Sequence, residues 1–430
     1  MNAASRPSGK TMKAEENDLL TRTDAGTAMG ELMREFWMPA LLSKELPAPD
    51  APPARVRLLG EDLVAFRDSS GRVGLLDAFC PHRRAELYFG RNEAGGLRCI
   101  YHGWKFDAGG RCVDVPTDSC TPAQMQRLST TAYPTQERGG IVWAWMGKGE
   151  PHALPPALAF TLVPGEHTYV SKCLMRCNYL QALEGSIDYS HISFLHKEGE
   201  TSSDVFGIGD MIRYSDEDGR PTLFAERTDY GLQIGARRDA GAENAYWRVA
   251  RWLLPCFVIV PTAPGNVSRI NLFIPIDDEN CWWYRIRWHQ DRPLTAAELD
   301  SYRDVGEDYA PLVPGSYLPR GSRENDYLQD RALQRRASFT GIRSAQLQDL
   351  AVQESQGRVH DRSREKLMPS DMPMAQCRRM LLEAVRSHQS ERQLPPSASR
   401  PELFGGYASA VTRPRRMTFD DNALLAVLYG

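Results

Sequence analysis

Two short hooks of metal-ligand residues stand 16 residues apart, Cys80-Pro81-His82 and Cys99-Ile100-Tyr101-His102. Each hook lets two side chains converge from one tight turn, so two facing hooks offer two thiolates and two imidazoles to one inorganic centre. That donor set suits a tetrahedral zinc or a Rieske [2Fe–2S] cluster, in which histidines replace cysteines on one of the two irons. Structural zinc sites of this composition usually take both cysteines from one hook and both histidines from the other. Here each hook is mixed, which suits a two-iron centre to which each hook gives one ligand per iron. Such a cluster carries two fewer negative charges than an all-cysteine one and accepts an electron at higher potential. The second hook runs on into Gly103-Trp104-Lys105-Phe106, a small residue and aromatics able to close over the metals.

A second constellation lies in NYLQALEGSIDYSHISFLH, which carries Asp188, His191 and His196. On a helix, Asp188 and His191 share a face, and the carboxylate reaches the second ring nitrogen. His191 and His196 stand about 140° apart on an ideal helix, so they meet on one metal only where the helix ends or distorts. Two histidines and one carboxylate with open positions form the facial triad of non-haem iron(II) oxygenases. Alone, such a histidine pair can pack and hydrogen-bond without metal; beside the hooks it reads as ligand. The third ligand must come from elsewhere. SAQLQDLAVQESQG, a helix stopped by Gly357, offers Asp349 and Glu354, and Asp361 follows. The residues alone do not rank these three.

The elements that position these groups are legible in outline. Met29, Leu32, Met33, Phe36 and Trp37 fall at helical spacing, ended by Pro39. Residues 52–76 alternate apolar and polar around turn residues, giving short antiparallel strands whose hairpin tips could carry the hooks. The loop 111–119 is stiffened by Pro116 and could cover the cluster's third side. Residues 151–164 hold four prolines and read as a linker. Residues 205–290 are strand-rich and predict an antiparallel sheet. Thr295 and Glu298 form a capping box for a helix with Leu299, Tyr302 and Val305 on one side. The fold class is α+β, organised as a disordered leader (1–15), a β-rich domain (16–149), a second domain (150–390) and a tail (391–430) that docks on a neighbour or stays loose.

The chain of 430 residues is long enough for two or three domains. Its 52 basic and 55 acidic residues leave a formal net charge of −3, no footprint for nucleic acid. No apolar run approaches the ~18 residues of a membrane span, and the N-terminus has no hydrophobic signal core. The expected location is the cytoplasm. Nine cysteines, an odd count without framework spacing, fit a reducing compartment; Cys173 and Cys177 read as buried packing residues.

Inside CPHRRA and CIYHGW, the hook pair resembles the Rieske domain of ring-hydroxylating oxygenase large subunits. ENDLLTRTDAGTAMGELMREFWMPALL and QDLAVQESQGRVHDRSREKL are similar to stretches of the phthalate dioxygenase branch. The resemblance implies a Rieske domain followed by a catalytic domain of helix-grip type, with Cys80, His82, Cys99 and His102 on a [2Fe–2S] cluster. It also implies mononuclear Fe(2+) on His191, His196 and Asp349, Asp349 being selected by the resemblance alone. Asp188 would join His191 to His102 of a neighbouring subunit in a homotrimer or a multiple of it. The implied activity is a terminal oxygenase that takes NADH-derived electrons from a separate flavin and iron–sulfur reductase and uses O2 to dihydroxylate a small aromatic, expected to be a carboxylate. A monooxygenase removing O-methyl groups or cleaving diaryl ethers is the alternative within the class, and an electron-carrying ferredoxin or a zinc-stabilised interaction protein the alternatives outside it. For a carboxylate anchor the sequence offers Arg237, Arg238, Arg248, Arg251 and Arg269.

Overall fold

The structure is a computed structural model and describes residues 11–197, 209–303, 309–421 and 424. It opens with two short helices, α1 (Ala14–Thr21) and α2 (Ala28–Arg34). The expected leader is thereby corrected at its end: Ala14 and Glu15 are helical, while residues 1–10 lie outside the described residues. Leu20 is fully buried, and the Asn17 side chain accepts a bond from Arg362 at 3.1 Å, so long-range packing orders this polar stretch. In α2 the Thr27 hydroxyl caps the helix by accepting the Gly30 N–H, and Met29, Leu32 and Met33 are buried. The helix ends before the expected breaker. Pro39 instead lies in strand β1 (Met38–Leu42), at a register shift on the edge of its sheet, where a missing N–H does no harm.

The N-terminal half is built from three small antiparallel sheets. β2 (Ala54–Leu58), β3 (Glu61–Arg67) and β4 (Val73–Asp77) form a meander, and β5 (Arg91–Glu93), β6 (Gly96–Arg98), β7 (Lys105–Phe106) and β8 (Cys112–Asp114) a second sheet. β9 (Thr135–Arg138) and β10 (Ile141–Ala144) join β1 in the third. Val64, Phe66, Leu76, Leu97 and Phe106 form a compact core with Cys80 and Cys99. The proline-rich segment that follows is no free linker, because Leu158 and Phe160 are buried in the main core.

The second half is organised by an eight-stranded antiparallel sheet. Its strands are β11 (Thr168–Met175), β12 (Thr222–Thr228), β13 (Gly231–Asp239), β14 (Asn244–Leu253), β15 (Phe257–Val260), β16 (Ser268–Pro275), β17 (Cys281–Trp288) and β18 (Ser409–Pro414). The order is β11-β17-β16-β15-β14-β13-β12, with β18 paired to β14. β18 corrects the picture of a loose tail: Ser409 to Pro414 pair with Val249 to Asn244. Phe419 and Leu424 are buried in one cluster with Trp247, while residues 422–423 and 425–430 lie outside the described residues.

Helices α3 (Tyr179–Ile187), α4 (Ile192–Leu195), α5 (Gly209–Glu217), α6 (Ala296–Tyr302), α7 (Ala345–Ser355) and α8 (Met372–Glu391) flank this sheet. α5 stands where strand had been expected. The Thr295 and Glu298 capping box opens α6 as expected, while Val305 lies outside the described residues. α8 packs on β12, β13 and both N-terminal helices, which gives the helix-grip arrangement.

A buried charge network ties α3 to α8. Glu184 accepts from Arg362 at 2.8 Å and from Arg378 at 2.6 Å, and Arg378 also donates to Glu365. Burial works to raise the Glu365 carboxyl, but bonds from His360 and Arg378 bring it down to about 2 from an ordinary 4.5. A carboxyl depressed in the folded state stabilises it fully above the unfolded value. That contribution is lost as pH falls from 4.5 toward about 2. Glu365→Gln is therefore expected to cost about 2–3 kcal/mol at pH 7, with the difference from wild type shrinking to nothing across that acid window in urea unfolding.

Candidate metal centres and active site

Both hooks are built on the same turn. Cys80 N–H donates to the Ala85 carbonyl and Arg84 N–H to the Cys80 carbonyl, at 2.8 and 2.9 Å. Cys99 N–H donates to the Trp104 carbonyl and Gly103 N–H to the Cys99 carbonyl, at 2.8 and 3.0 Å. Each turn needs a positive φ at its fifth residue, +58° at Arg84 and +77° at Gly103. At Gly103 a Cβ would also stand 2.6 Å from the Pro116 ring, so the loop expected to cover the cluster lies against this hook. The first hook follows β4, and the second is the tip of the β6–β7 hairpin.

Cys80 and Cys99 are buried, at 1% and 3% exposure, while His82 is exposed and His102 half-buried. The His82 and His102 rings are 4.4 Å apart, and His82 stacks on Trp104 at 4.5 Å. Burial first, and then Cys99 beside it, push the Cys80 thiol up to about 11, against a bond from the His82 N–H that lowers it. Burial and the neighbouring thiol oppose ionisation here, an opposition that a cationic metal would relieve. Among the described residues, the hook donors do not form a group of three or more within 4.8 Å of one another. As placed, no three of them stand as one tetrahedral zinc requires, under 4 Å apart at bonds of about 2.0–2.3 Å.

The group that does converge is His191, His196 and Asp349. His191 Nε2 lies 3.2 Å from His196 Nε2, and Asp349 Oδ1 lies 3.5 Å from His196 Nε2 and 3.9 Å from His191 Nε2. Ligands at right angles on bonds of about 2.1 Å stand about 3 Å apart, so the trio fits one face of a metal ion.

The backbone makes this convergence possible. α3 ends at Asp188, whose ψ of 122° is extended, and α4 runs only from Ile192 to Leu195 between the two histidines. Asp188 and His191 therefore do not share a helical face, as the sequence had suggested. They meet across the turn, with Asp188 Oδ2 at 3.5 Å from His191 Nδ1 and Asp188 Oδ1 accepting the Ser190 N–H at 2.7 Å. Burial works to raise the Asp188 carboxyl, but His191 and the Ser190 N–H hold it below the ordinary carboxylate value.

α7, capped by Ser344, carries Asp349 to the histidines. The other two acids have structural partners: Glu354 accepts from Arg176 N–H and Tyr327 Oη at 2.8 Å each, and Asp361 caps Ser363. Close approach of α3 and α7 depends on Gly185, since a Cβ there would stand 2.2 Å from the Gln353 amide. Gln348 had not been singled out from the sequence. Its Oε1 lies 2.7 Å from His196 Nδ1, and its Nε2 donates to the Ile342 carbonyl at 2.7 Å. Nothing in a glutamine one residue before an aspartate signals that role.

The trio opens into a cavity lined also by Ile192, Val260, Phe273, Trp283 and Asn271. Of the five candidate arginines only Arg248 and Arg269 line it. Arg237 and Arg238 are turned to the Arg415 and Asp218 carbonyls, and Arg251 is held by those of Leu403 and Gly405. Sequence reasoning missed three further lining arginines, Arg285, Arg287 and Arg343. Two were signalled, since Trp283, Arg285 and Arg287 alternate along an apolar strand and so share one face.

The family model described as Rieske [2Fe-2S] domain matches residues 36–132, and that described as LigXa C-terminal domain like matches residues 144–398. The phthalate 4,5-dioxygenase oxygenase subunit of Pseudomonas putida is 38% identical over 87% of this chain and 87% of its own. The 3-chlorobenzoate-3,4-dioxygenase oxygenase subunit of Comamonas testosteroni is 35% identical over 91% of this chain and 92% of its own. The crystal structure of dicamba monooxygenase bound to dicamba superposes with a TM-score of 0.58 at 20% identity, covering 84% of this chain and 99% of that one. Among the described residues, no helix is long and apolar enough to cross a membrane. Mixed hooks, a two-histidine and one-carboxylate trio and two matched domains together make this chain a member of the Rieske non-haem iron oxygenases, a terminal oxygenase subunit of an aromatic ring-degrading system that carries a Rieske [2Fe–2S] cluster and a mononuclear iron.

Proposed function

We propose that this oxygenase dihydroxylates the ring of an aromatic carboxylate, with electrons drawn from NADH through a separate reductase. The observation that carries the reading is the cavity itself: five arginines line the space beside the histidine and aspartate trio. Relatives named for phthalate and 3-chlorobenzoate dioxygenation support it. In this reading Cys80, His82, Cys99 and His102 hold the cluster, and His191, His196 and Asp349 hold the iron. When bound, the cluster supplies single electrons and the iron(II) binds and activates O2.

The chain's own groups do the rest. His191, His196 and Asp349 converge from one side, so a metal held by them would face the cavity, where Phe273, Trp283 and Val260 supply apolar walls. Asp188 accepts at Nδ1 of His191, fixing the tautomer that presents Nε2 to the cavity. Its side chain is 27% exposed, and Ile100, Tyr101 and Phe89 stand exposed around the hooks. Those surfaces support the family arrangement, in which His102 of a neighbouring copy meets Asp188 within a ring of subunits in the cytoplasm.

Oxygen uptake with reductase and NADH, across phthalate isomers, phenoxybenzoates and methoxybenzoates, tests the reading. Both atoms of labelled O2 are expected in a ring diol of a carboxylate. Formaldehyde from the methoxybenzoates with no diol would overturn dioxygenation in favour of O-demethylation. A narrower expectation concerns Gln348. Gln348→Leu removes the group that orients His196 and is expected to weaken iron binding about 10- to 100-fold, measured by iron retained after chelator dialysis, with the cluster's visible absorption unchanged.

A further inference from the structure

We propose that Gln346 sets the length of substrate this enzyme accepts: its side chain is the partition between the cavity of the trio and an adjoining second cavity, and it confines the reaction to single-ring compounds. The proposal deepens the reading of the substrate as an aromatic carboxylate and rests on that reading for where the ring sits.

The cavity of the trio has a volume of about 160 Å3, and the second one of about 300 Å3. An apolar cavity of about 150 Å3 holds one benzene, so the first space has room for one ring and the second for a further one. Among the described residues, Gln346 is the one side chain that lines both. Beside it the wall is a stack: the guanidinium of Arg285, which lines the first cavity, lies 4.1 Å from the centre of the Tyr309 ring, which lines the second.

The partition is held shut. Gln346 Oε1 accepts the Ala310 N–H at 2.9 Å and Nε2 donates to Cys173 Sγ at 3.0 Å, and both partners belong to the wall of the second cavity. The side chain is only 3% exposed, so swinging it aside forfeits both bonds. Helix α7 places it where length matters. Gln346 and Asp349 are three apart on that helix and share a face, so a ring lying before the aspartate has Gln346 as its next neighbour along α7. Beyond the partition, Tyr169, Tyr302, Tyr309, Leu312 and Val313 give the second cavity aromatic and aliphatic walls suited to another ring. A wall that clashes with the longer competitor yields selectivity without any added contact to the shorter one.

The test is calorimetric binding to the complete protein, with cluster and iron in place and O2 excluded, of phthalate against 3- and 4-phenoxyphthalate, which keep both acid groups and add one ring in two directions. Wild type is expected to favour phthalate by about 100-fold or more. Gln346→Ala joins the two cavities and is expected to cut that preference about 10-fold or more for one of the isomers, with phthalate affinity within about 3-fold of wild type and iron and sulfide content intact. Gln346→Ser stands in for it should the alanine protein lose its metals. Gln346→Met keeps the bulk, loses both hydrogen bonds and is expected to keep the preference; a methionine protein that behaves as the alanine one would overturn the partition. Val313 is 42% exposed at the rim of the second cavity, and Val313→Trp added to Gln346→Ala is expected to restore the preference. A gain that survives this filling does not pass through the second cavity, and the partition is then wrong. If wild type binds phthalate and its phenoxy derivatives alike, or Gln346→Ala leaves the preference unchanged, the partition is wrong and the carboxylate reading survives. If wild type does not bind phthalate, the carboxylate reading fails, and the same comparison of toluene with biphenyl decides the partition, since exclusion by length needs no acid group.

Discussion

Asp188→Asn is expected to leave the cluster reducible and the mononuclear iron bound, and to lower product formation by about 100-fold or more. The substitution keeps size and shape, so α3 still ends where it does. What it removes is the negative charge opposite His191 Nδ1, 3.5 Å away, and the strict acceptor that sets the imidazole tautomer. An amide nitrogen turned to that imidazole would leave two donors facing each other. His191 and the Ser190 N–H hold the native carboxyl below its ordinary pKa, and the amide that replaces it carries no charge at any pH. Iron and sulfide assays with rapid product analysis check the result. Normal product yield from a filled Asp188→Asn protein would remove Asp188 from the account.

Asp349→Ala is expected to abolish turnover by emptying the mononuclear site while the hook cluster persists. Iron in excess of acid-labile sulfide should vanish, and the cluster's visible spectrum should stay as in wild type. Asp349 is the carboxylate that closes the trio, 3.5 Å from His196 and 3.9 Å from His191. Glu354 on the same helix gives the contrast. It holds the Arg176 amide and the Tyr327 hydroxyl, so Glu354→Gln is expected to lower the melting temperature and keep the iron. Iron retained at full occupancy in Asp349→Ala would refute the ligand assignment.

The parts of this molecule that were readable from sequence are those whose chemistry is local. Each hook is one turn, closed by its own backbone bonds, so Cys80, His82, Cys99 and His102 announce themselves by spacing. The His191 and His196 pair was legible for the same reason, together with the requirement that the helix break. The single-turn α4, which ends at His196, is where it does. Asp349 lies more than 150 residues away, and a solvated helix face offers acids of its own; only family resemblance selected it. Gln348 was invisible because glutamine has no ligand spacing. Its contact with His196 exists only once α7 meets the segment after α3. Long-range packing likewise overruled local polarity in α1 and β18, where strand pairing and a buried leucine order segments that composition assigns to a leader and a tail.

Charge held at the hooks is expected to serve oxygen chemistry at the trio. A single-turnover measurement tests it most directly. The protein is reduced without O2, freed of reductase, and mixed with O2 and an aromatic acid that it turns over, while cluster absorbance and product are followed together. The expected result is a cluster reoxidised in step with product. Product formed while the cluster stays reduced, or a cluster reoxidised at the same rate with no product, would contradict it.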